Sequence, residues 1–109
     1  MSYAGAASGP CYDADMPPHA GEMLLKEFLI PMRITHRRLA EAMGVHYQGI
    51  NEIVNRWRGI TPSTALRLAR FFGISSGFWM NLQLRWDLYQ VEQAEVKELK
   101  TIRPHRVSA

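Results

Sequence analysis

Cysteine is almost missing: Cys11 is the only one in 109 residues. That excludes an internal disulfide framework, and no Cys/His ladder suggests structural zinc. Long apolar runs are missing too. The longest is three residues, Phe28-Leu29-Ile30 before Pro31, so no segment reads as a membrane span. The first 25 residues contain no Lys or Arg, which argues against a secretory signal; the expected setting is the reducing cytoplasm. The histidines (19, 36, 46 and 105) are scattered, and no two sit at metal-ligand spacing. His19-x-x-Glu22 resembles half a metal site but reads better as chemistry at a helix start, where the macrodipole favours Glu22. There is no glycine-rich phosphate loop. Ser63-Thr64 and Ser75-Ser76 fall where hydroxyls cap helices, and no nucleophile has a candidate base beside it. No cofactor is implied, and an enzyme is the least expected reading.

What is present is enough apolar mass for one domain: 47% of the residues are hydrophobic, and a chain this size buries roughly 65% of its unfolded surface. Charge is segregated. Residues 1–32 set Lys26 against Asp13, Asp15, Glu22 and Glu27, a net of −3. Residues 33–70 set Arg33, Arg37, Arg38, Arg56, Arg58, Arg67 and Arg70 against Glu41 and Glu52, a net of +5. Every positive charge in the middle is an arginine, whose planar fork suits phosphate. A block of this kind is either a solvated face or the footprint of a polyanion partner.

Residues 1–16 have no period and read as a flexible tail. Pro17-Pro18 then stiffens the approach to five helical patterns, with no convincing alternation of period 2. The first runs from Gly21 to about Ile30 and stops at Pro31. The second, Thr35 to Met43, has Thr35 as N-cap and Gly44 as C-terminal cap. The third extends from near His46 to near Asn55. The fourth opens at Thr61-Pro62, buries Ala65, Leu66, Leu68, Ala69 and Phe72, and closes at Gly73. The fifth opens at Ser75 or Ser76 and extends to about Leu99, before Arg103-Pro104. Its first half is heavy with Phe78, Trp79, Leu82, Trp86 and Tyr89; its second is mostly charged. The expected architecture is all-α, with three parts: the tail over 1–16, a helix-turn-helix domain over 17–90, and a C-terminal helical extension and tail over 91–109.

Two short helices around Gly44-Val45 carry the signature of a helix-turn-helix. Ala40 sits where two backbones must approach, Gly44 supplies a positive φ, Val45 plugs the core, and Ile50 and Ile53 hold the third helix down. Tyr47, Gln48, Gly49, Asn51, Glu52 and Asn55 remain outward, the side chains a recognition helix needs to reach base edges in the major groove. An ordinary αα-hairpin shares the Ala/Gly spacing; the surrounding arginines favour DNA. Trp79 and Trp86, seven apart on one face with Leu82 between them, read as core. Trp57, between two arginines, is either a lid over the core or a surface contact.

Further motifs carry a resemblance. Pro18-His19-Ala20-Gly21-Glu22-Met23-Leu24 resembles the opening of HigA-type antitoxins, members of the Xre-like helix-turn-helix class. The likeness continues through Leu39-Ala40, Gly44-Val45, Ile50-Asn51-Glu52-Ile53-Val54-Asn55 and Arg58-Gly59-Ile60-Thr61-Pro62. It extends over residues 64–73 and Phe78-Trp79-Met80-Asn81-Leu82-Gln83, and so spans roughly 18–90. It implies a five-helix, lambda/434 repressor-like DNA-binding domain with an extended C-terminal helix. It also implies a homodimer that binds double-stranded operator DNA, represses its own operon and neutralises a HigB-like toxin that cleaves mRNA. The DNA-contacting residues would be Thr35, Arg37, Arg38, His46, Tyr47, Gln48, Asn51, Glu52, Asn55, Arg56 and Arg58.

Three departures bear on that assignment. The family usually has Pro-Arg-x-Arg where this chain has His46-Tyr47-Gln48-Gly49, so contacts made by those arginines do not carry over. It commonly has Asn-Gly-Lys-Arg-Gly where this chain has Asn55-Arg56-Trp57-Arg58-Gly59. It often has Gln near the start of the second helix, where Thr35-His36-Arg37 stands and Arg37 is the candidate replacement. Two other readings stay open: an Xre-like regulator without a toxin, and a helical adaptor that binds protein only. The second half of the fifth helix is either a frayed end or a surface for the second protomer or for a basic toxin drawn to Glu92, Glu95 and Glu98.

Overall fold

A computed structural model describes residues 16–105; the tail assigned to 1–16, Met16 apart, and the chain from Arg106 onward lie outside the described residues. Three helix starts are set by short side chains that accept the first free backbone N–H groups. Thr35 Oγ1 accepts from the Arg38 N–H at 3.1 Å at the head of α2 (His36–Met43). Thr61 accepts from the Thr64 N–H at 3.4 Å at the head of α4 (Pro62–Phe72). Ser75 accepts from the Phe78 N–H at 3.3 Å at the head of α5 (Ser76–Ala94). Gly44 and Gly73 end α2 and α4 at φ +70° and +74°, a left-handed conformation that costs glycine nothing. Between them lies α3 (Tyr47–Val54). All described elements are helical.

The first helix departs from expectation. It runs through Pro31 in three consecutive pieces, Ala20–Met23, a π-helical stretch Leu24–Leu29, and Ile30–Met32, together α1. The Ile30 N–H bonds to Leu25 O, one residue further back than in an α-helix. This wider winding precedes a proline that would otherwise crowd the carbonyl four residues earlier. The helix stops instead at Arg33, which is left-handed at φ +57°.

Two further expectations are corrected. Leu66 is 60% exposed; the inward stripe of α4 is 65, 68, 69 and 72, and Leu66 lies about 100° round the helix from Ala65. The fifth pattern is not one helix to Leu99: it breaks at Glu95, and α6 (Val96–Lys100) follows.

The core gathers Leu24, Phe28, Leu29, Leu39, Ile50, Ile53, Leu68 and Trp79. Trp79 is fully buried, with its ring 5.0 Å from Phe28, 5.1 Å from Phe78 and 5.9 Å from Phe72. Its core assignment therefore holds. Trp86 is half-buried, edge-on to His19 at 4.9 Å. From Gln90 onward every described residue is exposed.

Candidate nucleic-acid interface

The turn between α2 and α3 is closed by two backbone bonds, Gly44 N–H to Glu41 O at 3.3 Å and Val45 N–H to Ala40 O at 3.0 Å. That pair is a Schellman cap. Ala40, Ile50 and Ile53 are buried and Val45 is half-buried against the core, so one face of α3 is committed inward. Tyr47, Gln48 and Asn55 are exposed on the other face, with Asn51 and Glu52 half-buried beside them. His46 stands at the N-cap position, yet its side chain makes no capping hydrogen bond. Gln48 Nε2 approaches Glu52 Oε2 at 3.5 Å. The Asn55 amide donates to Asn51 O at 2.8 Å and Asn51 Oδ1 at 3.2 Å, which holds Asn55 against the helix.

The arginines separate into groups. Arg37 lies with its guanidinium carbon 4.9 Å from the centre of the Tyr47 ring, a cation–π contact that joins α2 to α3. Arg38 is exposed on the same helix. Arg56 Nη2 pairs with Glu22 at 3.1 Å, and Arg58 Nη2 pairs with Glu52 at 2.9 Å. Arg67 serves the fold: its Nη1 donates to Met43 O at 2.5 Å, satisfying one of the carbonyls a helix end leaves open. Of the eleven residues assigned to DNA, the structure brings His46, Tyr47, Gln48, Asn51, Glu52, Asn55 and Arg58 to α3 and its edge. Thr35, Arg37 and Arg38 lie at the start of α2, and Arg56 lies in the loop beyond α3.

The α3–α4 loop begins with a second Schellman cap: Arg56 N–H to Ile53 O at 3.1 Å and Trp57 N–H to Glu52 O at 2.8 Å. Its left-handed residue is Arg56, at φ +67°. This is the position where the resembling family has glycine, so the departure in sequence keeps the family's turn and accepts strain of about 1 kcal/mol. Trp57 is 77% exposed. It is a surface group, not a lid.

Three residues fix the surroundings of α3, a role that composition and periodicity did not single out. Gly21 lets α1 lie directly on the end of α3: a Cβ there would sit 1.8 Å from Ile53 O. His19, only 3% exposed, accepts the Gly21 N–H on Nδ1 at 2.9 Å. Burial, reinforced by Arg56, lowers its pKa, against smaller raising effects of Asp87 and Glu22. Gln83 reaches from α5 to accept the Ile60 N–H at 2.7 Å and donates to Asp87 at 2.9 Å. The reading of His19 as chemistry at a helix start holds, since it is the N-cap of α1; all three also stand in the motifs of the resemblance, the one signal that marked Gly21 and Gln83.

The comparisons with known proteins fit this geometry. A helix-turn-helix family model matches residues 25–79. The chain is 40% identical over 92 residues to antitoxin HigA-1 of Vibrio cholerae, covering 84% of this chain and 87% of that one. The chain belongs to the helix-turn-helix family, among its HigA-type members. It is also 46% identical over 85 residues to virulence-associated protein I of Dichelobacter nodosus, covering 77% of this chain and 79% of that protein. Among solved structures, the Pseudomonas aeruginosa antitoxin HigA with the higBA promoter matches at TM-score 0.79 and 40% identity, over 83% of this chain and 99% of that one. Antitoxin GraA in complex with its operator matches at 0.77 and 34%, over 84% and 93%. In a helix-turn-helix the second helix, here α3, is the one that enters the major groove. Among the described residues no cluster could hold a metal ion and no helix is long and apolar enough to cross a membrane.

Proposed function

We propose that this chain is a sequence-specific operator-binding repressor and the antitoxin of a two-protein module, acting in the cytoplasm as a homodimer against a HigB-like toxin. The observation that carries the DNA half is the α3 face. It is polar, set at the edge of an arginine-bearing surface, and backed by buried Ile50 and Ile53. It is supported by relatives solved with promoter or operator DNA. The toxin half is supported by the antitoxin relatives.

The contacts divide by chemistry. Gln48 and Asn51 present amide groups, which pair with adenine edges. Thr35, Arg37, Arg38 and Arg56 lie off α3 and suit phosphate contacts that set register. Tyr47, fixed under Arg37, and His46, Glu52, Asn55 and Arg58 complete the surface.

The test is binding to the promoter fragment directly upstream of the gene, across a salt series. Affinity should fall steeply with salt as arginines displace condensed counterions. Arg37→Ala and Arg56→Ala should weaken binding to all sequences about equally and flatten the slope. Gln48→Ala should relax preference at one or two base pairs by about 1–3 kcal/mol. A salt slope near zero on the best available DNA would overturn the repressor reading. The antitoxin reading is tested by co-expressing the adjacent gene product and asking whether the two co-purify and whether its growth arrest is relieved.

A further inference from the structure

The α3 helix carries one glycine, Gly49. A guanidinium lies in the space beside this glycine. Arg58 Nη1, reaching back from the α3–α4 loop, lies 3.6 Å from where a Gly49 Cβ would be. Its Nη2 is tied to Glu52 Oε1 at 2.9 Å, and the other carboxylate oxygen of Glu52 faces Gln48 Nε2 at 3.5 Å. Gln48, Glu52 and Arg58 therefore form one line of polar groups across the middle of the outward face, along a shallow groove of about 600 Å³ that they share with Gly49, His46 and Thr64.

We propose that Arg58 is a base-reading residue that recognises guanine from the loop, with Glu52 as its positioning residue and Gly49 as the gap that admits it. This deepens the operator-binding reading and rests on it. Two physical points carry it. A guanidinium has five donors in a fixed fork, so the bond to Glu52 uses one and leaves an edge for the O6 and N7 acceptors of guanine, the commonest partner of arginine in the major groove. Glu52 is half-buried and Arg58 is more than half exposed, so the pair orients the cation while leaving it open to a ligand.

The experiment is sequencing of operator variants bound by the full chain from a randomised library, followed by affinity measurements on the selected site. Wild type should show a strong guanine at one position of each half-site. Arg58→Ala and Arg58→Lys should both reduce the preference for that guanine at least about fivefold, since a lysine cannot form the fork, while preferences elsewhere persist. Glu52→Gln should weaken the same preference without abolishing binding, an outcome that a merely structural residue would not give at one base pair. Circular dichroism of each variant checks that the fold is kept. If Arg58→Ala lowers affinity equally for every sequence, Arg58 is a phosphate contact and the inference is overturned while operator binding stands. If wild type selects no sequence at all, the operator-binding reading falls first.

Discussion

At the scale of single residues, the most consequential positions are those with least room. Gly21 has no space for a methyl group against Ile53 O, so Gly21→Ala must push α1 off α3 or displace the end of α3. Overpacking of this kind typically costs about 1–3 kcal/mol or more, and thermal denaturation should show a clearly lowered Tm. His19 gives a pH dependence with a defined sign. Its folded pKa is lowered, so the neutral imidazole is the native form and the unfolded chain takes up the proton first as pH falls. Stability should be full above about pH 6.5 and decline as pH drops below it. His19→Asn, which can still accept the Gly21 N–H as an N-cap, should flatten that decline in a Tm series from pH 8 to 5.5. Arg56→Gly removes left-handed strain of about 1 kcal/mol and an exposed ion pair worth less than about 1 kcal/mol. It should leave Tm unchanged or slightly raised while it weakens DNA binding for all sequences. None of these effects is legible in composition. Gly21 and Gln83 act through partners 32 and 23 residues away, and only the matched motifs hinted that they had a task, whereas the cap made by His19 is local and was legible as chemistry at a helix start.

At the scale of elements, legibility follows locality. The starts of α2, α4 and α5 and the glycine stops of α2 and α4 were readable because each cap involves residues at most four apart. The π stretch of α1 was not, because Pro31 signals a stop and only the wider winding before it lets the helix continue. Likewise, a Schellman turn advertises itself when glycine fills it and is invisible when arginine does, as at Arg33 and Arg56. The division of α5 was visible in outline. Trp79 is buried and Trp86 and Tyr89 are half-buried, whereas no described residue beyond them is. The chain cut after Gln90 should therefore keep its helical circular dichroism with little loss of Tm, and should lose association instead, either with a second copy or with the toxin. Calorimetry on the truncated chain checks this; if both associations survive at full strength, residues beyond Gln90 are a frayed end and the partner contacts lie elsewhere.

At the scale of the whole molecule, one α3 helix of eight residues spans only a few base pairs. Operator binding of useful specificity then calls for two copies, with half-sites about one helical turn, ~34 Å, apart in a palindrome. Footprinting should find two protected half-sites in the upstream promoter, and sedimentation should find a dimer on DNA; a single half-site bound by a monomer would contradict this. The two braces at and beyond the C-terminal end of the recognition helix also shape how such a complex forms. Gly21 seats one end of α3 on α1, and Gln83 pins the loop beyond it to α5. The reading surface is thus assembled before any operator arrives. Association should behave as rigid docking: a heat-capacity change no larger than the buried interface itself accounts for, without the surplus that accompanies folding on contact, and an encounter rate governed by electrostatic steering, not by waiting for a rare conformer.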